Sequence, residues 1–472
     1  MIEQYLARQI LTAFPHTPTE QQEVLIQTVS QFFYAPVDEK IFVLKGYAGT
    51  GKTSVVAAIV RALNILKQKT VLLAPTGRAA KVLSAYAGFP AFTIHKKIYR
   101  QQAIGVEKFS LADNLMNDTL FIVDEASMIS NTGGDSEFGS GFLLDDLIRF
   151  VYNDRNCFLM LLGDIAQLPP VMQDDSPALD WLKLESFGLQ VTEFQLTQVV
   201  RQALQSGILY NATLLRKALE DKLTTHLPKL HLSGFTDIKS LSGMELTDEV
   251  SRSYAGVGVE DTIIITRSNK MANIYNKGIR AGVMMLEDEI VNGDLLIVTR
   301  NNYFWNKPYP EIDFVANGDI LKVRRVGKHS DMYGFRFVDL TLESIDFRWE
   351  MDARVWIDSF YSESPVQQNV LSRKLFDAVA EDYADIPNKR ERLKLMFENP
   401  YLNALQLRFA YAVTCHKAQG GQWKKVFVDM NMRPDADVDK NYYRWLYTAI
   451  TRASDQVFLV NYPEKMLKGN KK

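Results

Sequence analysis

The chain has 472 residues, of which 47% are apolar and 23% charged, a balance typical of soluble globular proteins with about two to four domains. Its formal net charge of −2 excludes a globally basic surface, so any nucleic-acid binding must come from a local groove. No apolar run reaches the length of a membrane span and the first residues lack a signal-peptide layout, so we expect a cytoplasmic protein without a membrane partner. Cys157 and Cys415 lie far apart in apolar contexts and predict buried thiols, not a metal site.

The first 200 residues predict helices followed by an α/β domain. Residues 1–40 have helical spacing, with Thr19 and Gln22 as a potential capping box. The apolar runs IFVL, TVLLAP, LFIVDE and CFLMLLGD then alternate with helical patterns. Unbroken apolar runs at this repeat indicate buried parallel strands in a doubly wound sheet.

The segment GYAGTGKT, residues 46–53, matches the phosphate-binding pattern G-x-x-x-x-G-K-[ST] between a predicted strand and a predicted helix. The glycines Gly46, Gly49 and Gly51 let the backbone wrap closely around phosphates at a helix N-terminus. Lys52 is expected to reach the β- and γ-phosphates, and Thr53 to place its hydroxyl on Mg²⁺. The pattern therefore predicts binding of a nucleoside triphosphate with Mg²⁺.

Two further strand ends carry polar residues suited to hydrolysis. In IVDEAS, Asp124 is placed to hold Mg²⁺ and Glu125 to orient or deprotonate the attacking water. In LLGDIAQLPPV, Gln167 is placed to contact the γ-phosphate and to report its loss. Surface charges and a polar turn are the structural alternatives, which the phosphate-binding context disfavours.

The remainder of the chain predicts a second α/β domain with an insertion. DTIIITRSN and WKKVFVDM are typical of buried strands, whereas the alternating pattern within residues 319–358 predicts a small β-barrel. A charged helical stretch, residues 371–397, follows the barrel. Residues 100–114 predict a short hairpin, and the Gly/Ser-rich residues 130–141 a mobile surface loop.

With these motifs in this order, the chain resembles superfamily 1 helicases, most closely the RecD-like and phage Dda-like branch that moves 5′→3′. The resemblance implies two RecA-like parallel-sheet motor domains, the first at 1–195 with a hairpin, or pin, at about 99–116. The second would comprise 196–310 and 405–472, and an SH3-like β-barrel with a helical segment would occupy 311–404, after the element VANGDILKV.

The resemblance also implies roles at the nucleotide site. Gln22 in PTEQQ would read adenine, with the capping box as a compatible alternative. Arg201 in LTQVVRQ and Arg452 in WLYTAITRAS would act as arginine fingers, the latter supported by Tyr447 and Thr451. Gly420 and Gln419, in the element YAVTCHKAQGGQW, would lie towards ATP.

Three segments of the resemblance, APTGRAAKVL, FTIHKKIY and YAVTCHKAQGGQW, supply the expected contacts to a single strand. The residues are short polar or cationic side chains suited to phosphates: Thr76, Arg78, Thr93, His95, Lys96, Thr414, His416 and Lys417. The predicted pin has few aromatic residues, and Phe109 fits either a wedge that separates strands or a core position.

We therefore predict an ATP-dependent DNA helicase or translocase that moves 5′→3′ along single-stranded or forked DNA as a monomeric motor. RNA remains open as a substrate, because no short motif reports a 2′-hydroxyl contact. Two alternatives stay open: an ATPase that translocates without strong unwinding, and a nucleotide-gated loading or scaffold switch. A kinase is disfavoured, because arginine fingers and a coupling glutamine serve hydrolysis.

Overall fold

The computed structural model describes residues 2–101, 109–133, 138–153, 156–199, 205–309, 312, 314–431 and 438–463. Its first half contains α1 (Ile2–Ala13), α2 (Glu20–Tyr34), β1 (Lys40–Gly46), α3 (Lys52–Ile65), β2 (Lys69–Ala74), α4 (Gly77–Ala87), β3 (Ala91–Thr93), α5 (Ile94–Ile98), β4 (Tyr99–Gln101), β5 (Phe109–Leu111), β6 (Thr119–Val123), α6 (Leu143–Val151), β7 (Phe158–Gly163), α7 (Trp181–Glu185) and β8 (Gln190–Leu196). Its second half contains α8 (Gly207–Glu220), β9 (Ile238–Leu241), α9 (Leu246–Gly256), β10 (Thr262–Thr266), α10 (Asn269–Gly278), β11 (Leu295–Val298), β12 (Ile320–Met332), β13 (Phe335–Ser344), β14 (Glu350–Trp356), α11 (Pro365–Asp382), α12 (Lys389–Phe397), β15 (Leu407–Phe409), β16 (Ala412–Thr414), α13 (Cys415–Ala418), β17 (Trp423–Asp429), α14 (Lys440–Ile450) and β18 (Ala453–Val460).

The first domain is built on a six-stranded sheet in the order β3-β2-β6-β7-β1-β8. All of its strand pairs are parallel. Ile41 and Val43 of β1 pack into the core on one face, and Phe42 and Leu44 pack into the core on the other. Because both faces of the sheet are covered, β1 is an unbroken run of apolar residues. The predicted buried parallel strands are confirmed.

The second domain is built on a parallel five-stranded sheet in the order β16-β10-β17-β18-β9. Its strands include the predicted runs DTIIITRSN and WKKVFVDM, as β10 and β17. The predicted α/β architecture with two parallel sheets is therefore confirmed. Among the residues that the structure describes, no helix is long and apolar enough to cross a bilayer.

The predicted insertion is an antiparallel sheet in the order β14-β13-β12-β11-β15. Its two outer strands meet through Leu405, whose N–H donates to the Arg354 carbonyl at 2.8 Å and whose carbonyl accepts from Trp356 N at 3.0 Å. The sheet thus closes on itself as a small barrel, although its SH3-like character stays a prediction. The sheet also includes β11 and β15, which lie outside the predicted limits 311–404, one on each side.

Two local predictions have mixed outcomes. β4 and β5 pair antiparallel and form the base of the predicted hairpin, but residues 102–108 lie outside the described residues. Phe109 stacks on Phe138 with ring centroids 4.9 Å apart and contacts Tyr303 at 4.3 Å, which favours the core alternative over a wedge. Phe138 lies in the Gly/Ser-rich stretch that was predicted to be a surface loop, and it is buried.

Candidate nucleotide site and nucleic-acid interface

The phosphate-binding loop lies between β1 and α3, at the carboxyl edge of the first sheet. Gly49 and Gly51 have φ values of +77° and +80°, which only glycine adopts without strain. A Cβ on Gly46 would lie 2.8 Å from Cγ of Lys52, so this glycine permits the close approach of the lysine stem. Lys52 Nζ donates to the carbonyls of Gly46 and Tyr47 across the loop. The four predicted loop residues thus occupy one compact turn.

The carboxylates Asp124 and Glu125 follow β6 directly. The Asp124 side chain accepts a hydrogen bond from the Glu125 N–H at 2.8 Å. Burial, reinforced by the neighbouring Glu125, raises the pKa of Asp124 to about 6, while Lys52 and Arg452 oppose the shift. Glu125 has a left-handed backbone with φ +53°, a conformation that is strained for a non-glycine residue. Strain at a carboxylate in a cleft is common at functional sites.

The end of β7 brings Asp164 and Gln167 to the same cleft. Gln167 is buried, and in the described part of the chain its Oε1 has no hydrogen-bond partner. A buried amide oxygen without a partner is costly, so a ligand contact is a physical reason for its presence. Asp164 is buried too, and burial raises its pKa. It was missed as a site residue, although it follows an apolar strand just as Asp124 does.

Arg452 of the second domain faces these groups. Its Nη1 lies 3.7 Å from Glu125 Oε1, and its Nε donates to the Thr448 carbonyl at 3.2 Å. The cleft between the domains encloses about 580 Å³ and is lined by residues that include Lys52, Thr53, Asp124, Glu125, Gln167, Thr451 and Arg452. The predicted partner Arg201 lies outside the described residues.

Two of the predicted nucleotide contacts lie elsewhere. Gln22 is buried behind the loop, where its Nε2 donates to the Thr50 carbonyl at 3.0 Å and its Oε1 accepts from Thr19 N at 2.9 Å. The capping box is confirmed, and Gln22 braces the loop instead of lining the cleft. Gly420 has φ +72°, and a Cβ there would meet Ala79 at 2.8 Å. It permits close packing between the domains and does not face the nucleotide cleft.

Comparison with known proteins agrees with this arrangement. A family model described as "AAA domain" matches residues 19–227, and one described as "UvrD-like helicase C-terminal domain" matches residues 409–460. The chain is 25% identical over 433 residues to the ATP-dependent RecD2 DNA helicase of Deinococcus radiodurans. That alignment covers 89% of the chain and 46% of the relative, so the chain spans about half the length of this curated relative. By these matches the chain is similar to RecD-like helicases of superfamily 1.

Other matches have lower identity or cover less. The uncharacterized protein R530 of Acanthamoeba polyphaga mimivirus is 22% identical, with 89% of this chain and 94% of R530 aligned. A crystal structure of the Pif1 helicase from Bacteroides in complex with ADP-AlF3 and ssDNA has a TM-score of 0.47 and 14% identity, covering 96% of this chain and 94% of that one.

Two residues predicted to bind a strand instead make contacts within the protein. Arg78 donates to the Gln422 carbonyl at 3.0 Å, stacks on Trp423 at 4.3 Å and lies 3.9 Å from Asp346. His95 packs edge-on against Phe138 at 4.9 Å, and burial lowers its pKa to about 4. Packing directs both side chains towards partners within the protein, and the strand contacts first expected of them stay predictions.

The remaining predicted residues lie at or near the N-termini of α4, α5 and α13. The hydroxyls of Thr76 and Thr93 accept from backbone N–H groups and cap α4 and α5. Lys417 Nζ donates to the side chain of Asn317, and burial lowers its pKa to about 8. Thr414 precedes α13 without a capping bond from its side chain, and His416 is exposed.

A groove of about 710 Å³ separates β3 and α5 from the barrel. Thr93 and Lys96 line its first-domain wall. The opposite wall carries two carboxylates, Asp319 and Glu350, beside aromatic side chains and one arginine that sequence reasoning did not single out: Phe314, Phe347, Arg348 and Trp349. Cations interleaved with aromatic rings suit a single strand, because bases stack and phosphates pair. The signal in the sequence was the FRW run, residues 347–349, at a turn between strands.

Proposed function

We propose that this chain is an ATP-dependent DNA helicase that moves 5′→3′ along single-stranded DNA. The observation that carries the proposal is the pair formed by Arg452 of the second domain and Glu125 of the first, at 3.7 Å beside Lys52. A cleft that is complete only when two domains meet couples the state of a nucleotide to their separation.

The residues of the cleft fit ATP with Mg²⁺. Lys52 and the loop amides would bind the β- and γ-phosphates, and Thr53 with Asp124 would hold Mg²⁺. Glu125 would orient or deprotonate the attacking water, while Gln167 would contact the γ-phosphate through its amide. Arg452, together with Arg201, would neutralise the charge that develops on the transferred phosphoryl group.

Strand movement follows from alternating grip. With ATP bound, the arginine pairs with the γ-phosphate and the domains close; after hydrolysis this attraction is lost and they separate. The strand would lie across Lys96, Thr414, His416 and Lys417 and stack in the groove against the barrel. Each cycle would then advance the protein along the strand.

The decisive test compares two partial DNA duplexes that differ only in the polarity of their single-stranded tail, with Lys52→Ala as the inactive control. Unwinding of the 5′-tailed duplex alone is the expected result. Strand-stimulated ATPase without unwinding of either duplex would support a translocase, and binding of ATP without turnover would support a nucleotide-gated switch.

A further inference from the structure

The hydroxyl of Tyr447 joins the second domain to the phosphate-binding loop. It accepts a hydrogen bond from the Ala48 N–H at 2.8 Å and donates one to Asp164 Oδ2 at 2.6 Å. Tyr447 belongs to α14 of the second domain, whereas Ala48 and Asp164 follow β1 and β7 of the first. One phenol therefore contacts the loop and a neighbouring carboxylate together, across the domain boundary.

Tyr47, the loop residue before Ala48, also contacts side chains of the second domain. Tyr47 OH donates to Glu220 Oε1 at 2.7 Å, and the guanidinium of Arg216 lies 4.4 Å from the centre of the Tyr47 ring. Arg216 and Glu220 are both on α8. Two consecutive residues of the loop thus have their positions set by side chains from the other domain.

Helix α14, which carries Tyr447, also sets the position of Arg452. Thr451 Oγ1 donates to the Tyr447 carbonyl at 2.8 Å, and Arg452 Nε donates to the carbonyl of Thr448. Thr448 Oγ1 also accepts from the Leu168 N–H of the first domain at 2.9 Å. Because these contacts are buried, a shift of α14 relative to the loop would move the arginine with it.

We propose that Tyr447 is a positioning residue that sets the phosphate-binding loop against Arg452, acting through Ala48 and Asp164. The inference rests on the proposed ATP hydrolysis. Nucleotide binding is supplied mainly by Lys52, Thr53 and the loop amides of the first domain. Loss of the hydroxyl therefore lowers the rate of hydrolysis much more than the affinity for nucleotide, since the misplaced groups matter most as charge develops.

The test compares Tyr447→Phe with Tyr442→Phe, a change in the same helix at a buried hydroxyl that has no hydrogen-bond partner among the described residues. For each variant, kcat and KM are measured in strand-stimulated ATPase, and Kd is measured with a fluorescent ATP analogue. We expect Tyr447→Phe to lower kcat by about tenfold or more and to change Kd by less than about threefold. Tyr442→Phe is expected to match the wild type.

The proposal would be overturned if kcat of Tyr447→Phe stays within about twofold of wild type. It would also be overturned if kcat and the affinity for nucleotide fall by similar factors. Tyr47→Phe repeats the test from the first domain, without any change in α14, and is expected to lower kcat in the same selective way. In Tyr447→Phe with Asp164→Ala, the combined loss should not exceed the larger single loss, and multiplied losses would contradict a shared pathway. Absence of turnover in the wild type would instead refute the proposed function.

Discussion

Arg452 and Glu125 come from different domains, and the Nη1 of one lies 3.7 Å from the Oε1 of the other. Arg452 is only 5% exposed, so the guanidinium is largely removed from water. An arginine in that position is strongly attracted to an anion that enters the cleft, because the surrounding medium screens charge poorly. The cleft is therefore formed by charged side chains from both domains.

Arg452→Ala is expected to lower kcat of strand-stimulated ATP hydrolysis by about 10³-fold, the usual effect of removing an arginine that stabilises phosphoryl transfer. Binding of single-stranded DNA should persist, because Arg452 does not line the groove between α5 and the barrel. Arg325→Ala on the exposed face of the barrel is the matched control. Near-normal turnover in Arg452→Ala would refute the role of this residue.

Gln167→Leu tests whether the buried amide serves a ligand. Since Gln167 Oε1 has no hydrogen-bond partner within the described ranges, an apolar side chain of similar volume should leave the melting temperature within about 3 °C of wild type. We expect strand-stimulated kcat to fall by about tenfold or more if the amide contacts the γ-phosphate. Gln173→Leu, at a second glutamine with an unpartnered oxygen but outside the cleft, should retain activity. A strongly destabilised Gln167→Leu with normal kcat would assign this side chain to structure alone.

Arg78 and Lys96 are predicted to differ in what their loss affects. Arg78→Ala removes the bond to Gln422 and the stacking on Trp423, so we expect the free energy of unfolding to fall by about 1–3 kcal/mol. Lys96→Ala should weaken single-strand binding, reducing the slope of log affinity against log salt by about 0.7. Denaturant unfolding and binding titrations at several salt concentrations distinguish the two. The reverse pattern would restore the strand contact first predicted for Arg78.

His95 predicts a loss of stability in acid. Its pKa is lowered to about 4 by burial, so the unfolded chain binds a proton below about pH 6.5 and the folded chain does not. Stability is therefore fully present above pH 6.5 and declines as the pH falls towards 4, by up to about 2 kcal/mol at pH 5. Unfolding curves of wild type and His95→Phe at pH 7 and pH 5 measure this contribution. An equal pH dependence in the two proteins would show that His95 does not cause it.

Much of the fold was predictable because its signals are local. Unbroken apolar runs predicted β1, β6, β7 and β10, and the capping box at Thr19 predicted the start of α2. The closure of the barrel was not predictable, since it depends on Leu405 meeting the distant strand β14. Pairing of this kind leaves no periodic trace in the segments that take part.

The candidate site divides in the same way. The phosphate-binding loop, the carboxylates after β6 and Gln167 were predictable from local sequence, because each follows a strand whose end the sheet brings to one edge. The contacts that turn Arg78 and His95 inward, place Gln22 against the loop and join Tyr447 to Ala48 and Asp164 became visible only in the folded chain. The physical reason is that a side chain's partner depends on burial and on which domain packs against it, and these are properties of the assembled molecule, not of the spacing of residues along the chain.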